Sequence, residues 1–341
     1  MTNLFDTAAV FGDIHFGKKG NSKQFNKDCS DFIDFFIAEC KKMGIKTCIF
    51  LGDWHDNRQT LHISTLNYSI ENLKKLNDAF ETVYAIIGNH DMFYKDRRDV
   101  TSVVISEHLP NVVLIDDFLH VGNVTFCPWL VGTEWKTISD IAKKSDYIFG
   151  HFEIPKFLMN VMVEMSDHGE ISAEHFDDVT YMAFTGHFHK RQAKGKVCYI
   201  GSPMPHDYAD AWDDERGFMV LDWGKTPRFI DWKEGPRYRS MRLSELLENP
   251  VRYVNENTYT KISTDLDLTY EEVQYIKESF LGAFQVRSFD ISNGLKDSLD
   301  QDFNDEEGEF QTLDQIVVDG LLSVESIALD TNKLISLYQE L

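Results

Sequence analysis

Gly88-Asn89-His90-Asp91 follows the apolar run Val83-Tyr84-Ala85-Ile86-Ile87. The run reads as a buried strand. It ends in an amide, an imidazole and a carboxylate, and in open α/β sheets ligands bind at the carboxyl ends of strands. Four other apolar runs end the same way. Asp13-Ile14-His15 follows Ala8–Gly12, and Gly52-Asp53 follows Thr47–Leu51. Gly150-His151 follows Asp146–Phe149, and Gly186-His187-Phe188-His189 follows Tyr181–Thr185. Five independent strand ends carrying metal-competent groups are hard to obtain by chance.

The spacing around these runs predicts alternating strands and helices. From Phe25 to Met43 apolar residues recur at helical intervals, and Gly44 stands where a C-cap belongs. A second helix carries Ile63, Leu66, Ile70, Leu73 and Leu76. The β-α-β-α-β order predicts parallel strands with crossover helices. From Val112 the texture changes to short strand-like pieces, Asn111–Ile115, Val121–Phe126 and Cys127–Leu130, which read as a second sheet. A helix is expected near Lys136–Lys144, and a hairpin joins Gly217–Trp223 to Arg228–Trp232 through Gly224–Pro227. The Pro- and Arg-bearing segment Gly235–Pro250 reads as a boundary. It separates a first domain at 1–235 from a small α/β domain at 251–292, with a helix capped by Thr269. An acidic linker is expected at 293–310 and a helical segment at 311–341.

Composition narrows the class. The 341 residues allow about two domains, and 43% hydrophobic content suits a soluble globular protein. No secretory leader and no membrane-spanning run is seen, so the expected compartment is the cytoplasm. Cys29, Cys40, Cys48, Cys127 and Cys198 show no paired spacing and read as reduced core residues. A net charge of −22 argues against simple non-specific binding to phosphate backbones. A nucleic-acid enzyme remains open where metal ions or a partner supply the positive charge.

Asp13, His15, Asp53, Asn89, His151, His187 and His189 mix hard oxygen with imidazole nitrogen and include no thiolate. That mixture suits Mn²⁺, Fe or Zn in octahedral or five-coordinate sites rather than structural zinc. The groups exceed the needs of one ion. Two ions about 3.5–4 Å apart sharing a carboxylate account for them. The i, i+2 spacing of Asp13/His15 and of His187/His189 lets each pair point the same way from an extended strand end or a turn.

In this order the blocks Asp13-Ile14-His15, Gly52-Asp53, Gly88–Asp91, Gly150-His151 and Gly186–His189 resemble the signature of the calcineurin-like metallophosphoesterases. The resemblance covers roughly residues 8–230. It implies a two-sheet sandwich flanked by helices. Asp13, His15, Asp53 and His189 would hold one metal. Asp53, Asn89, His151 and His187 would hold the second, with Asp53 bridging. A narrower resemblance is to the nuclease subunit of the SbcC/SbcD class of double-strand-break processing complexes, nearest to the recombination endonuclease subunits of large bacteriophages. The Gly201-Ser202-Pro203 loop, the Arg216-Gly217-Phe218 strand start and the tail carry it.

That subgroup implies Mn²⁺-dependent exonuclease and single-strand endonuclease activity on DNA in recombination, repair and end processing. It also implies a homodimer and a coiled-coil ATPase partner of the SbcC type. The segment 311–341 would dock on that partner, or pack on its own core. In the implied reaction a water whose pKa the metals lower attacks phosphorus in line. His90, next to ligand Asn89, is the candidate proton donor, with Asp91 orienting its imidazole. Many relatives place a second histidine three residues after the bridging aspartate. Here Asp56 holds that place and His55 precedes it, so His55 is a candidate for the substrate side. Phe93, Tyr94, Lys95, Arg97, Arg98, Lys190 and Arg191 are candidate DNA contacts. The alternative reading is a phosphatase or phosphodiesterase on nucleotides or phosphoproteins. A scaffold without metal is disfavoured because the full ligand set is present.

Overall fold

A computed structural model describes residues 3–159, 163–167 and 169–293. The expected segments at 293–310 and 311–341 lie outside the described residues, apart from Asn293. Two six-stranded sheets lie face to face. The first runs in the order β12-β11-β1-β2-β3-β4, from β1 (Thr7–Phe11), β2 (Thr47–Phe50), β3 (Thr82–Ile86), β4 (Val112–Ile115), β11 (Gly217–Asp222) and β12 (Arg228–Asp231). The second runs β5-β6-β7-β8-β10-β9, from β5 (Leu119–Val121), β6 (Val124–Cys127), β7 (Tyr147–His151), β8 (Met182–Gly186), β9 (Gln192–Lys194) and β10 (Val197–Tyr199). Strands β1 to β4 are parallel, and β11 joins β1 antiparallel.

The helical periodicity explains how the first sheet is covered. Helix α1 (Lys23–Met43) and helix α2 (Ile63–Ala79) pack on its outer face. Phe32 and Phe36 of α1 lie fully buried against Phe11 of β1. Gly44 ends α1 with a left-handed φ of 68°, which glycine adopts without Cβ strain. Burying each such ring contributes roughly 1.5–3 kcal/mol. A second apolar layer, with Val10, Ile49, Phe126 and Phe149, fills the space between the sheets. A third, around Ile148, Phe152 and Phe176, covers the outer face of the second sheet. The five cysteines are buried free thiols within these layers.

Two expectations change. The piece at Asn111–Ile115 joins the first sheet as β4 beside β3, not the second sheet. Its buried Val112 and Ile115 belong to the layers that flank β3. The small sheet begins inside the segment Gly235–Pro250 rather than after it. That segment contains β13 (Arg237–Arg242), which pairs in parallel with β14 (Thr258–Thr264) in a three-stranded sheet completed by β15 (Ser288–Asn293). Helix α3 (Tyr270–Phe284) packs on this sheet through Phe280, after a capping box in which Thr269 and Glu272 bond reciprocally. Residues through Ser292 form one compact unit. Among the described residues, no helix is long and apolar enough to cross a membrane.

Candidate metal centre

The carboxyl ends of β1, β2, β3, β7 and β8 meet at one edge of the sandwich. Asp13, His15, Asp53 and His187 there take left-handed backbone, with φ of 53°, 53°, 61° and 89°. Such conformations are uncommon outside glycine, although Asn, Asp and His adopt them more readily than other residues, and they gather at functional sites. Between Asp13 and His15, Ile14 is fully buried in the layer under α1. Gly88 is required by close approach: a Cβ there would lie 2.2 Å from Asp53 Oδ1.

Asp53 stands at the middle. Its Oδ2 lies 3.6 Å from His15 Nε2 and 3.3 Å from His151 Nε2. On one side Asp13, His15 and Asp53 converge within 4.8 Å, and His15 and His189 face each other with ring centroids 5.2 Å apart. On the other side Asp53, His151 and His187 converge. Asn89 Oδ1 lies 3.0 Å from His151 Nε2 and 3.1 Å from His187 Nδ1. All seven residues expected as ligands thus gather in two adjoining sets that share Asp53.

Outer partners select the nitrogen each ring turns inward. His151 donates Nδ1–H to the Leu51 carbonyl at 2.7 Å, leaving Nε2 toward Asp53. His187 Nε2 lies 3.2 Å from Glu153 Oε2, leaving Nδ1 toward Asn89. His15 Nδ1 faces Asp56 Oδ1 at 3.4 Å. Metal-ligating histidines characteristically have such partners. Asp13 Oδ2 and His15 Nε2 are buried with no hydrogen-bond partner. Buried polar atoms are nearly always bonded, so unpaired atoms converging on one point fit a divalent cation.

The charges fit too. Burial opposes ionisation of Asp53, but the charges of His151 and His90 outweigh it and hold the carboxyl well below its ordinary range. Burial lowers His151 while Asp53 raises it, and the net result is about 9. Burial, aided by the Asp53 charge and opposed by His151, pushes Asp13 up to about 7. Burial opposes ionisation of Asp56 as well, yet the bond to His15 and the Lys18 charge hold it down at about 2.

Three residues near the ligands take places that the sequence reading did not give them. Asp91 does not orient His90. Its carboxylate accepts backbone N–H groups from Asp53 at 2.9 Å, Trp54 at 2.9 Å, His55 at 3.2 Å and Gly88 at 3.0 Å. It ties the loop after β2 to the loop after β3. The Asp56 carbonyl orients His90 instead, accepting Nδ1–H at 2.6 Å. His55 is fully buried, with its nitrogens 2.9 Å from Ser102 Oγ and 2.8 Å from Ser69 Oγ, and burial pushes its imidazole down to about 3. It is a neutral core residue turned away from the substrate side.

His206 escaped sequence reading. It lies in the loop after β10, buried beside His15 and His189 with centroids 5.0 and 4.4 Å away. No apolar run leads into it, so a single sequence carries no signal for it.

The chain is 30% identical over 218 residues to exonuclease subunit 1 of enterobacteria phage T4, covering 62% of this chain and 63% of that protein. It therefore spans somewhat under two thirds of that relative's length. Similar solved structures include a novel archaeal phosphodiesterase (TM-score 0.34, 12% identity, 66% of this chain and 99% of that one). Another is a dimetal phosphatase from Danio rerio (TM-score 0.39, 13% identity, 64% and 92%). A third is a purple acid phosphatase from yellow lupin seeds (TM-score 0.39, 14% identity, 55% and 38%). The calcineurin-like phosphoesterase family matches residues 7–191, more than half of the chain, and it is to this family that the protein belongs.

Proposed function

We propose that the chain is a two-metal phosphodiesterase acting on DNA, the nuclease subunit of a complex with a coiled-coil ATPase of the SbcC type. Its place would be DNA recombination, repair and end processing, in the cytoplasm of a phage host, as a homodimer. The observation that carries the reading is the sharing of one Asp53 oxygen between two adjoining donor sets. The likeness to a protein named an exonuclease subunit supports DNA as substrate and the need for a partner.

Asp13, His15, Asp53 and His189 would hold one ion, and Asp53, Asn89, His151 and His187 the other. Mn²⁺ is the proposed metal for these mixed oxygen and nitrogen donors. Bound ions would activate water and neutralise charge on the phosphoryl oxygens. His90, fixed through Nδ1 to the Asp56 carbonyl, presents Nε2 as the proton donor to the leaving alkoxide. A cavity of about 220 Å³ opens beside His151, walled by Trp129, Trp135, Phe152 and Met165. The Trp129 ring lies tilted against His187, with centroids 4.9 Å apart. Such aromatic walls suit an organic group attached to the phosphate, as in a nucleotide strand.

One observation favours a second reading, a phosphoesterase on small nucleotides. Cations near the site are tied to acids: Arg98 bridges both oxygens of Glu134 at 2.8 Å, and Arg191 meets Asp231 at 3.0 Å. The test is to load the protein with Mn²⁺ and offer linear duplex DNA and, separately, an aryl phosphodiester, with and without the ATPase. DNA digestion that Asp53→Asn abolishes and His90→Ala slows about 10²–10⁴-fold is expected. Turnover of the small ester with no DNA cleavage under either condition would overturn the nuclease reading.

A further inference from the structure

The loop that carries His206 is built rather than slack. The His206 backbone N–H donates to Asp210 Oδ2 at 2.9 Å, and Asp210 pairs with buried Arg216 at 3.0 Å. Arg216 Nη1 also donates to Ser202 Oγ at 2.6 Å and to the carbonyl of His189. One guanidinium therefore fixes both the His189 strand end and the His206 loop. The His206 side chain lies against Phe25, with centroids 5.7 Å apart, and is fully buried.

Neither of its ring nitrogens has a hydrogen-bond partner. Burying an unsatisfied imidazole is costly, and an apolar residue of similar size would avoid that cost. Its surroundings supply the missing partner. His15, His189 and His206 each bring a ring nitrogen to within 4.8 Å of the other two, and His15 at the same time belongs to the set with Asp13 and Asp53. The three rings meet edge to face, as do imidazoles arranged around a common point.

We infer that His206 is an additional protein ligand of the metal held by Asp13, His15, Asp53 and His189, giving that ion a third imidazole. The inference rests on the two-metal reading above and goes beyond it by making the two sites unequal. One ion has two carboxylates and three imidazoles. The other has the shared carboxylate, an amide oxygen and two imidazoles. The nitrogen-rich site favours later first-row metals more strongly than its neighbour does. Five protein donors also leave a single open position in an octahedral shell, so exchange of water and phosphate falls mainly to the second ion.

The test uses the full chain and metal ions alone, without DNA. Co²⁺ is titrated into wild type, His206→Phe and His206→Gln. Each ligating imidazole contributes one hyperfine-shifted exchangeable N–H in the proton NMR spectrum. Both variants are expected to lose one such resonance and keep the rest. Calorimetry should show one of the two binding steps weakened at least about tenfold and the other unchanged, a loss no smaller than removal of an outer partner gives. Thermal unfolding in chelator is the control for folding, and His206→Phe should melt no lower than wild type. An unchanged number of shifted resonances in both variants would overturn the ligand role even if affinity fell, because His206 would then act only through its neighbours. Failure of wild type to take up two ions would overturn this inference and the two-metal reading together. DNA cleavage that is absent while two ions bind would overturn only the choice of substrate.

Discussion

His90 and Asp91 are adjacent in sequence and separate in role. Removing the Asp91 carboxylate strands four buried backbone N–H groups of the two loops that carry Asp53 and Asn89. Asp91→Ala should therefore lower stability by at least about 2 kcal/mol and the melting temperature in chelator by about 4 °C or more. It should also reduce metal uptake. His90→Ala should leave melting and uptake close to wild type while the rate falls about 10²–10⁴-fold. Melting curves, metal analysis and rates on the same preparations separate the two. Asp13 and His151 give the site a pH dependence. Burial pushes Asp13 up to about 7, and the Asp53 charge, against burial, raises His151 to about 9, so as the proposed ligands each would have to lose its proton to hold an ion. Ion binding thus releases protons, and affinity rises as pH increases through that window. Calorimetry at pH 7 in buffers of different ionisation enthalpy should report net release. A buffer-independent heat would count against Asp13 and His151 as ligands. The residue types and strand-end positions of the side chains that gather at the site were legible because chemistry and pattern coincide there. The direction of a side chain in a turn was not. Asp91 and His55 sit next to functional residues in sequence, yet they point into the structure that supports them.

At the scale of elements, partly buried polar contacts help join the metallophosphoesterase core to the three-stranded sheet. Arg287, just before β15, donates to Asp28 of α1 at 2.5 Å, and Asp28 is almost fully buried. Lys19 bonds the Tyr238 hydroxyl and lies over the ring of Tyr259 at 4.9 Å. Removing one partner of a buried pair leaves the other charge uncompensated, at a cost of about 3–5 kcal/mol. Arg287→Ala should approach that loss, and Asp28→Ala/Arg287→Ala together should lose less than the sum of the single changes. A double-mutant cycle from denaturant unfolding measures the coupling, and strict additivity would mean the joint is held elsewhere. The long elements could be read from sequence. Helix α1 declares itself through Phe25, Phe32 and Phe36, and α3 through the Thr269–Glu272 box. Strand β13 could not. Its Arg237-Tyr238-Arg239-Ser240-Met241-Arg242 has two apolar residues among arginines, and it is a strand because β14 lies beside it.

For the whole molecule, the decisive quantity is the net charge of −22. Affinity for duplex DNA at physiological salt comes largely from cations that neutralise phosphates, and each contact adds about 0.9 to the slope of log K against log salt. Several cations near the centre are already paired: Arg97 with Asp99 at 3.1 Å, Arg98 with Glu134, and Arg191 with Asp231. Drawing them to phosphate means breaking those pairs, against the repulsion of a strongly acidic surface. The isolated chain should therefore bind duplex DNA more weakly than the usual non-specific range of about 10⁻⁴–10⁻⁶ M, with a salt slope no steeper than about −2. Fluorescence anisotropy of a labelled duplex across salt concentrations, in Ca²⁺ to suppress cleavage, measures both quantities. If the proposed ATPase partner supplies the phosphate contacts, its addition should steepen the slope and tighten binding together. A steep slope for the chain alone would mean that its own basic residues hold DNA. The proposed partner would then serve a purpose other than electrostatic capture.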